Sequence, residues 1–142
     1  MNKSTIREVT FKLLYSLEIQ KSYEEDCIKL FLEDTEINEE KVKNEITKDV
    51  NNINENGEDI ISQISNNLKS DWKLERISKI NISILKLAIY EMLYKKVPYK
   101  VVINEAVELA KKYGEDASSS FINGVLATVV KKNSLAEKTT EQ

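Results

Sequence analysis

Between Thr5 and Gln20 the residues Ile6, Val9, Leu13, Leu14 and Leu17 fall on one broad arc at about 100° per residue, which predicts an amphipathic helix. Thr5 and Glu8 have the spacing of a capping box and mark its start. A shorter helix is predicted over Glu24 to Glu33, followed by a polar loop through Asn38 that can cap the next helix. From Glu39 onward, Val42, Ile46, Val50, Ile53, Gly57, Ile60, Ile64 and Leu68 recur every three or four positions without losing phase. That regularity predicts one long helix. Asn51, Asn52, Asn54, Asn56 and Gly57 are poor helix formers, so a break there is the competing reading.

A short helix around Leu74 to Ile80 leads to Ser83 and a segment, ISILKLAIYEMLY, with apolar residues nearly all round. Such a helix belongs at the centre of a core, with Lys86 and Tyr90 as its main polar stripe. Val97 and Pro98 end it, because the residue before proline avoids the α region. The next helix, around Val102 to Tyr113, sets Ile103, Ala106, Val107, Leu109, Ala110 and Tyr113 on one broad face and stops at Gly114, a natural residue for a helix end. Asp116 or one of the serines 118 to 120 can cap the last helix, whose Phe121, Ile122, Val125, Leu126, Val129 and Val130 face mostly inward. Gly124 falls inside that helix, where close approach of a neighbouring helix is the expected reason. The tail from Asn133 is expected to be disordered.

With three glycines and one proline there are few places to turn a strand, and the fold class is all-α. A length of 142 residues allows one domain, or two small subdomains sharing a core. The most apolar segment, Ile84 to Leu93, is interrupted by Lys86 and Glu91 and is too short to span a bilayer. MNKSTIREVT lacks the apolar run of a secretory signal. A cytoplasmic protein with no membrane association is expected.

The net charge of -3 is unevenly spread. Residues 1–21 carry four Lys/Arg against two Asp/Glu, residues 22–62 four against thirteen, and residues 63–142 thirteen against nine. An anionic partner is therefore expected at the two ends of the chain and not at its centre. With no histidine and a single cysteine, the usual zinc sites, His-based triads and internal disulfides drop out. Cys27 sits in the acidic context EEDCIKLFL, the opposite of the electropositive surroundings that activate a nucleophile, and reads as a buried structural residue.

Three segments, WKLERISKINISILKLAIYEM, VPYKVVINEAVELAKKYG and FINGVLATV, resemble in order and spacing the transcription antitermination factor NusB family. The resemblance is strong from Trp72 to Val130 and weaker over REVTFKLLYSLE in the first helix. It implies an all-helical fold of about seven helices in two small subdomains, about 1–70 and 71–132, with 133–142 as the tail. It also implies a non-enzymatic protein without metal or cofactor. The implied partners are boxA-type RNA of ribosomal RNA leaders, NusE (also a small-subunit ribosomal protein) and the RNA polymerase antitermination complex.

Carried over residue by residue, the family's arginine-rich start is represented only by Lys3, Arg7 and Lys12, with Lys3 and Arg7 one turn apart if the helix reaches that far. Phosphate contacts supply most non-specific affinity, so a thinned basic start predicts weaker RNA binding unless a partner adds charge. Tyr15 matches the tyrosine of the family's Leu-Tyr pair and Phe121 the aromatic of its FVNG motif, both of a type that stacks on unpaired bases. Lys86, Tyr90 and Glu91 match the segment implied to meet the protein partner, with lysine replacing the usual arginine. Asn81, Ser120 and Ala127 stand where the family commonly has acidic, lysine and aspartate residues. A related domain precedes some ribosomal RNA cytosine methyltransferases, but this length leaves no room for a Gly-rich cofactor domain. The rival expectation is a helical protein-interaction module with little RNA binding, and a homodimer that buries the RNA surface is a third.

Overall fold

The computed structural model describes residues 2–69 and 72–135, which form seven α-helices and one 3₁₀ turn, with no strand among the described residues. The chain divides into two compact units between Gly57 and Glu58.

In the first unit α1 spans Lys3–Gln20, α2 Glu25–Glu33 and α3 Glu40–Glu55, each packed against the other two. Leu13, Leu14 and Leu17 of α1 are buried, as are Ile28 and Leu32 of α2 and Ile46, Val50 and Ile53 of α3. Helix α1 begins before the Thr5/Glu8 box expected from the sequence, because Asn2 is the N-cap: its Oδ1 accepts from the Thr5 backbone N–H at 2.8 Å. Lys3 and Arg7 are consequently both helical and one turn apart.

The long helix expected from Glu39 to Leu68 does not form. Helix α3 ends at Glu55, and α4 (Gly57–Ser65) starts two residues later. At Asn56 the side-chain amide donates to the Asn52 carbonyl at 2.8 Å, competing with the backbone N–H that reaches the same oxygen at 3.0 Å. The apolar phase continues across the break, so periodicity alone cannot detect it.

The second unit contains α4, the 3₁₀ turn Leu74–Arg76, α5 (Lys79–Leu93), α6 (Tyr99–Tyr113) and α7 (Ser118–Lys132). Helices α5, α6 and α7 pack against one another, and α5 is buried at every position from Ile82 to Met92. Side chains tie α4 to this trio: Tyr94 donates its hydroxyl to Asp59, Asn133 Nδ2 donates to Gln63 Oε1 at 3.2 Å, and Lys132 Nζ donates to the Asn66 carbonyl at 2.9 Å. Through these bonds α4 belongs with the second unit, and the division falls earlier than residue 70.

Ser78 caps α5 by accepting the Asn81 N–H at 3.1 Å, so α5 starts at Lys79 and takes in the end of the short helix expected around Leu74 to Ile80, of which only the 3₁₀ turn Leu74–Arg76 stands apart. Ser83 lies inside it, its hydroxyl returned to the Lys79 carbonyl at 2.8 Å. Helix α6 follows directly on Pro98, whose fixed φ suits a helix start. The expected caps of α7 are not used: Ala117 is its N-cap, and the Ser118 hydroxyl accepts the Glu115 N–H at 2.9 Å. Of the tail, residues 136–142 lie outside the described residues.

Tyr23 and Tyr94 are held in the neutral form. Burial, reinforced by Glu18, pushes Tyr23 up to about 12, and burial with the hydrogen bond and charge of Asp59 does the same for Tyr94. A folded-state pKa above the unfolded value favours the fold, with that contribution complete below pH 10.0 and lost as pH rises toward about 12. In a tyrosinate absorbance titration both groups should ionise near pH 12, and Tyr94→Phe should remove one of them.

Candidate nucleic-acid and partner surfaces

On α1, positions 3, 7, 11, 15 and 19 form one i,i+4 ridge. It carries Lys3, Arg7, Phe11, Tyr15 and Ile19 and turns by about 40° per step, so the two cations share one face, Phe11 is buried, and Tyr15 and the exposed Ile19 follow further round the helix. The Phe11 and Tyr15 rings stack with centroids 6.5 Å apart, and Tyr15 is half-buried, so one face of its ring is braced from within. Lys3 sits at the N-terminus of α1, where no acidic residue occupies the first turn and the helix dipole adds to its positive charge. Cations at the helix start and a braced ring two turns on form a surface suited to a phosphate backbone and an unpaired base.

Lys12 does not share that arc with Arg7. Five residues on, it is rotated by about 140° and lines a groove of about 910 Å³ between α1 and α2. Glu8, Glu33, Asp34 and Glu36 line the same groove, an arrangement that repels phosphate. Cys27 also lines it and is half-exposed, not buried as expected, because the nine-residue α2 buries only Ile28 and Leu32.

In the second unit the expected partner residues lie beneath the surface. Lys86, Tyr90 and Glu91 are 9%, 3% and 7% exposed. A helix apolar nearly all round is packed all round, and its polar stripe is drawn into the core with it. Tyr90 stacks on Tyr94 with centroids 5.8 Å apart, and Tyr94, 36% exposed and bonded to Asp59, is the member that reaches the surface. Sequence reasoning passed over Tyr94, although its i,i+4 spacing from Tyr90 was a usable signal.

Phe121 is half-buried on α7, its ring 5.1 Å from that of Trp72 at an interplanar angle of 34°. The two rings, with Asn67, Lys69, Ser120 and Gly124, line a groove of about 270 Å³. Gly124 is exposed, and a Cβ built on it would meet no atom within 4 Å. The close helix approach expected at this glycine is therefore absent, and its helix-propensity cost of about 1 kcal/mol relative to alanine is not offset by packing. Asn67 is 9% exposed, and its Oδ1 is buried with no hydrogen-bond partner.

Among the described residues, no group of three or more His, Cys, Asp or Glu is placed to hold a metal ion, and no helix is long and apolar enough to cross a membrane.

The NusB family model matches residues 4–131. The transcription antitermination protein NusB of Clostridium novyi (strain NT) is 45% identical over 133 residues, which span 92% of this chain and 99% of that protein. The structure of T. maritima NusB aligns with a TM-score of 0.81 at 34% identity, covering 92% of each chain. A structure of antitermination factors NusB and NusE in complex with dsRNA aligns with the same TM-score of 0.81 at 24% identity, covering 92% of this chain and 96% of that one, a likeness of fold alone. On the extent of the family match and of the identity to its curated relatives, the chain belongs to the NusB family.

Proposed function

We propose that this chain is an RNA-binding transcription antitermination factor that acts with NusE on boxA-type RNA of ribosomal RNA leaders, within the RNA polymerase antitermination complex. Beyond family membership, the observation that carries the reading is the pairing of Lys3 and Arg7 one turn apart at the start of α1, with the braced ring of Tyr15 two turns further along the same helix. Lys3 and Arg7 hold phosphates, Tyr15 stacks on a base, and Phe121 supplies a second aromatic contact on α7. Lys12 leaves the phosphate set because four carboxylates share its groove. Buried Lys86, Tyr90 and Glu91 support a NusE-facing surface from below, with Tyr94 presented to the partner. The protein works in the cytoplasm, without catalysis or cofactor.

Transcription by purified RNA polymerase through a terminator downstream of boxA tests this reading. With NusE present, adding the chain should raise read-through on the intact leader but not on one with scrambled boxA. Equal read-through on both templates would sink the proposal. The protein-interaction reading is favoured by one observation, the acidic α1–α2 groove with Leu30 69% exposed in its lining, and it predicts NusE binding with no dependence on boxA.

A further inference from the structure

We propose that the groove between α1 and α2 is a docking site for a basic amphipathic helix of a partner protein, separate from the surfaces that meet RNA and NusE. Helix α2 is apolar on two faces. Ile28 and Leu32 turn inward and are buried. Cys27, Leu30 and Phe31, continued by the C-cap Asp34 at the spacing i, i+3, i+4, i+7, form a second stripe that lines the groove. Cys27 and Phe31 are half-buried there, and Leu30, at 69%, is more exposed than any other large hydrophobic residue described. The inward face already anchors this nine-residue helix, so a second apolar stripe on its outer side fits a surface that another molecule covers.

The length and charge of the groove select the occupant. Along α1 it is lined from Thr5 to Gln20, a run of about 22 Å that matches a helix of about four turns. Such a helix meets an apolar stripe with its own i, i+3, i+4 and i+7 residues. Thr5 also lines a neighbouring hollow with Glu36 and Ile37, so Glu33, Asp34 and Glu36 gather with Glu8 at the Thr5 end of the groove. Among the described lining residues, four carboxylates stand against one cation, Lys12, and the C-terminal dipole of α2 adds to the negative potential there. The other end, at Ser16, Gln20 and Cys27, is uncharged. The partner that complements both ends is a helix with an apolar face and Lys or Arg clustered at one terminus. Lys12 is about 140° round α1 from Arg7, so the groove can be filled while Lys3 and Arg7 hold phosphates. The inference stands on the groove and does not need the RNA-binding reading.

The probe is a fluorescein-labelled synthetic peptide of about four helical turns, with leucine at the i, i+3, i+4, i+7 spacing and lysine at one end, titrated with the full chain and read by anisotropy. A peptide of the same composition in scrambled order is the comparison, and the ordered peptide should bind roughly tenfold more tightly. Leu30→Glu should weaken its binding roughly tenfold. Glu33→Lys combined with Asp34→Lys should weaken it more at about 50 mM salt than at about 200 mM. Glu115→Lys, a charge reversal in the second unit, should leave it unchanged. All of these variants should melt close to the native chain, because each replaced side chain is exposed. Equal binding of the two peptides, or native affinity in Leu30→Glu, would reduce the groove to a patch of charge and overturn the site. Displacement of the peptide by NusE or by boxA-type RNA would overturn it by giving the groove to those partners. A self-associated mass of the chain alone that Leu30→Glu abolishes would overturn it by giving the groove to a second copy.

Discussion

Gly114→Ala is expected to destabilise the second unit by about 1–3 kcal/mol, seen as a lower midpoint in thermal or urea unfolding. The glycine is the C-cap of α6, and its N–H bonds the Ala110 carbonyl at 2.9 Å. Its φ of -91° lies in ordinary extended backbone, so the left-handed conformation that usually favours glycine at a helix end is not the reason for it. Space is the reason. A Cβ at this position would lie 2.6 Å from both Cβ and Oγ of Ser118 and 2.8 Å from the Ala110 carbonyl oxygen. Ser118 cannot simply rotate away, because its buried hydroxyl accepts the Glu115 N–H and fixes the turn into α7. Relief requires moving backbone where α6 meets α7. A native-like midpoint for Gly114→Ala would show that this turn gives way easily.

The second large effect is on RNA affinity. Replacing both Lys3 and Arg7 with alanine should remove two phosphate contacts, each worth roughly fivefold in affinity near 0.1 M salt for a single strand. The slope of log affinity against log salt should become shallower by about 0.7 per lost contact. Lys12→Ala should leave both quantities close to native, because Lys12 faces the acidic α1–α2 groove. This contrast distinguishes a localised basic edge from a general attraction to net positive charge. Equal losses from all three substitutions would remove the ridge from the account. Far-ultraviolet circular dichroism of the double variant checks that α1 still forms, since Lys3 is exposed and Arg7 is only half-buried.

The helical period was legible wherever one face of a helix is buried, which is why α1, α2, α6 and α7 stand close to where the sequence places them. Boundaries set by a single polar side chain were not. Asn2 starts α1 early, Ser78 starts α5 early, and Asn56 ends α3 inside a run whose apolar phase never falters. These residues act through one hydrogen bond each, a signal that hydrophobic spacing cannot carry. The family resemblance implies Lys3, Arg7, Lys12 and Tyr15 together, but spacing alone does not show that Lys12 lines a groove that it shares with Glu8, Glu33, Asp34 and Glu36. It also could not say that Lys86, Tyr90 and Glu91 are buried, because a polar stripe on a central helix reads as surface until its neighbours are in place. Gly124, a glycine inside a helix, reads from sequence as a site of close packing. Only the open space beside it, together with Trp72, turns it into a feature of the surface.

The account stands on joint RNA recognition by this chain and NusE, and one titration addresses it directly. Labelled boxA-type RNA is titrated with the chain, with NusE, and with an equimolar mixture, at about 50 mM and about 200 mM salt. The mixture should bind more tightly than either protein alone at both salts, with a marked loss of affinity at the higher one. A mixture no tighter than its better component would contradict the account.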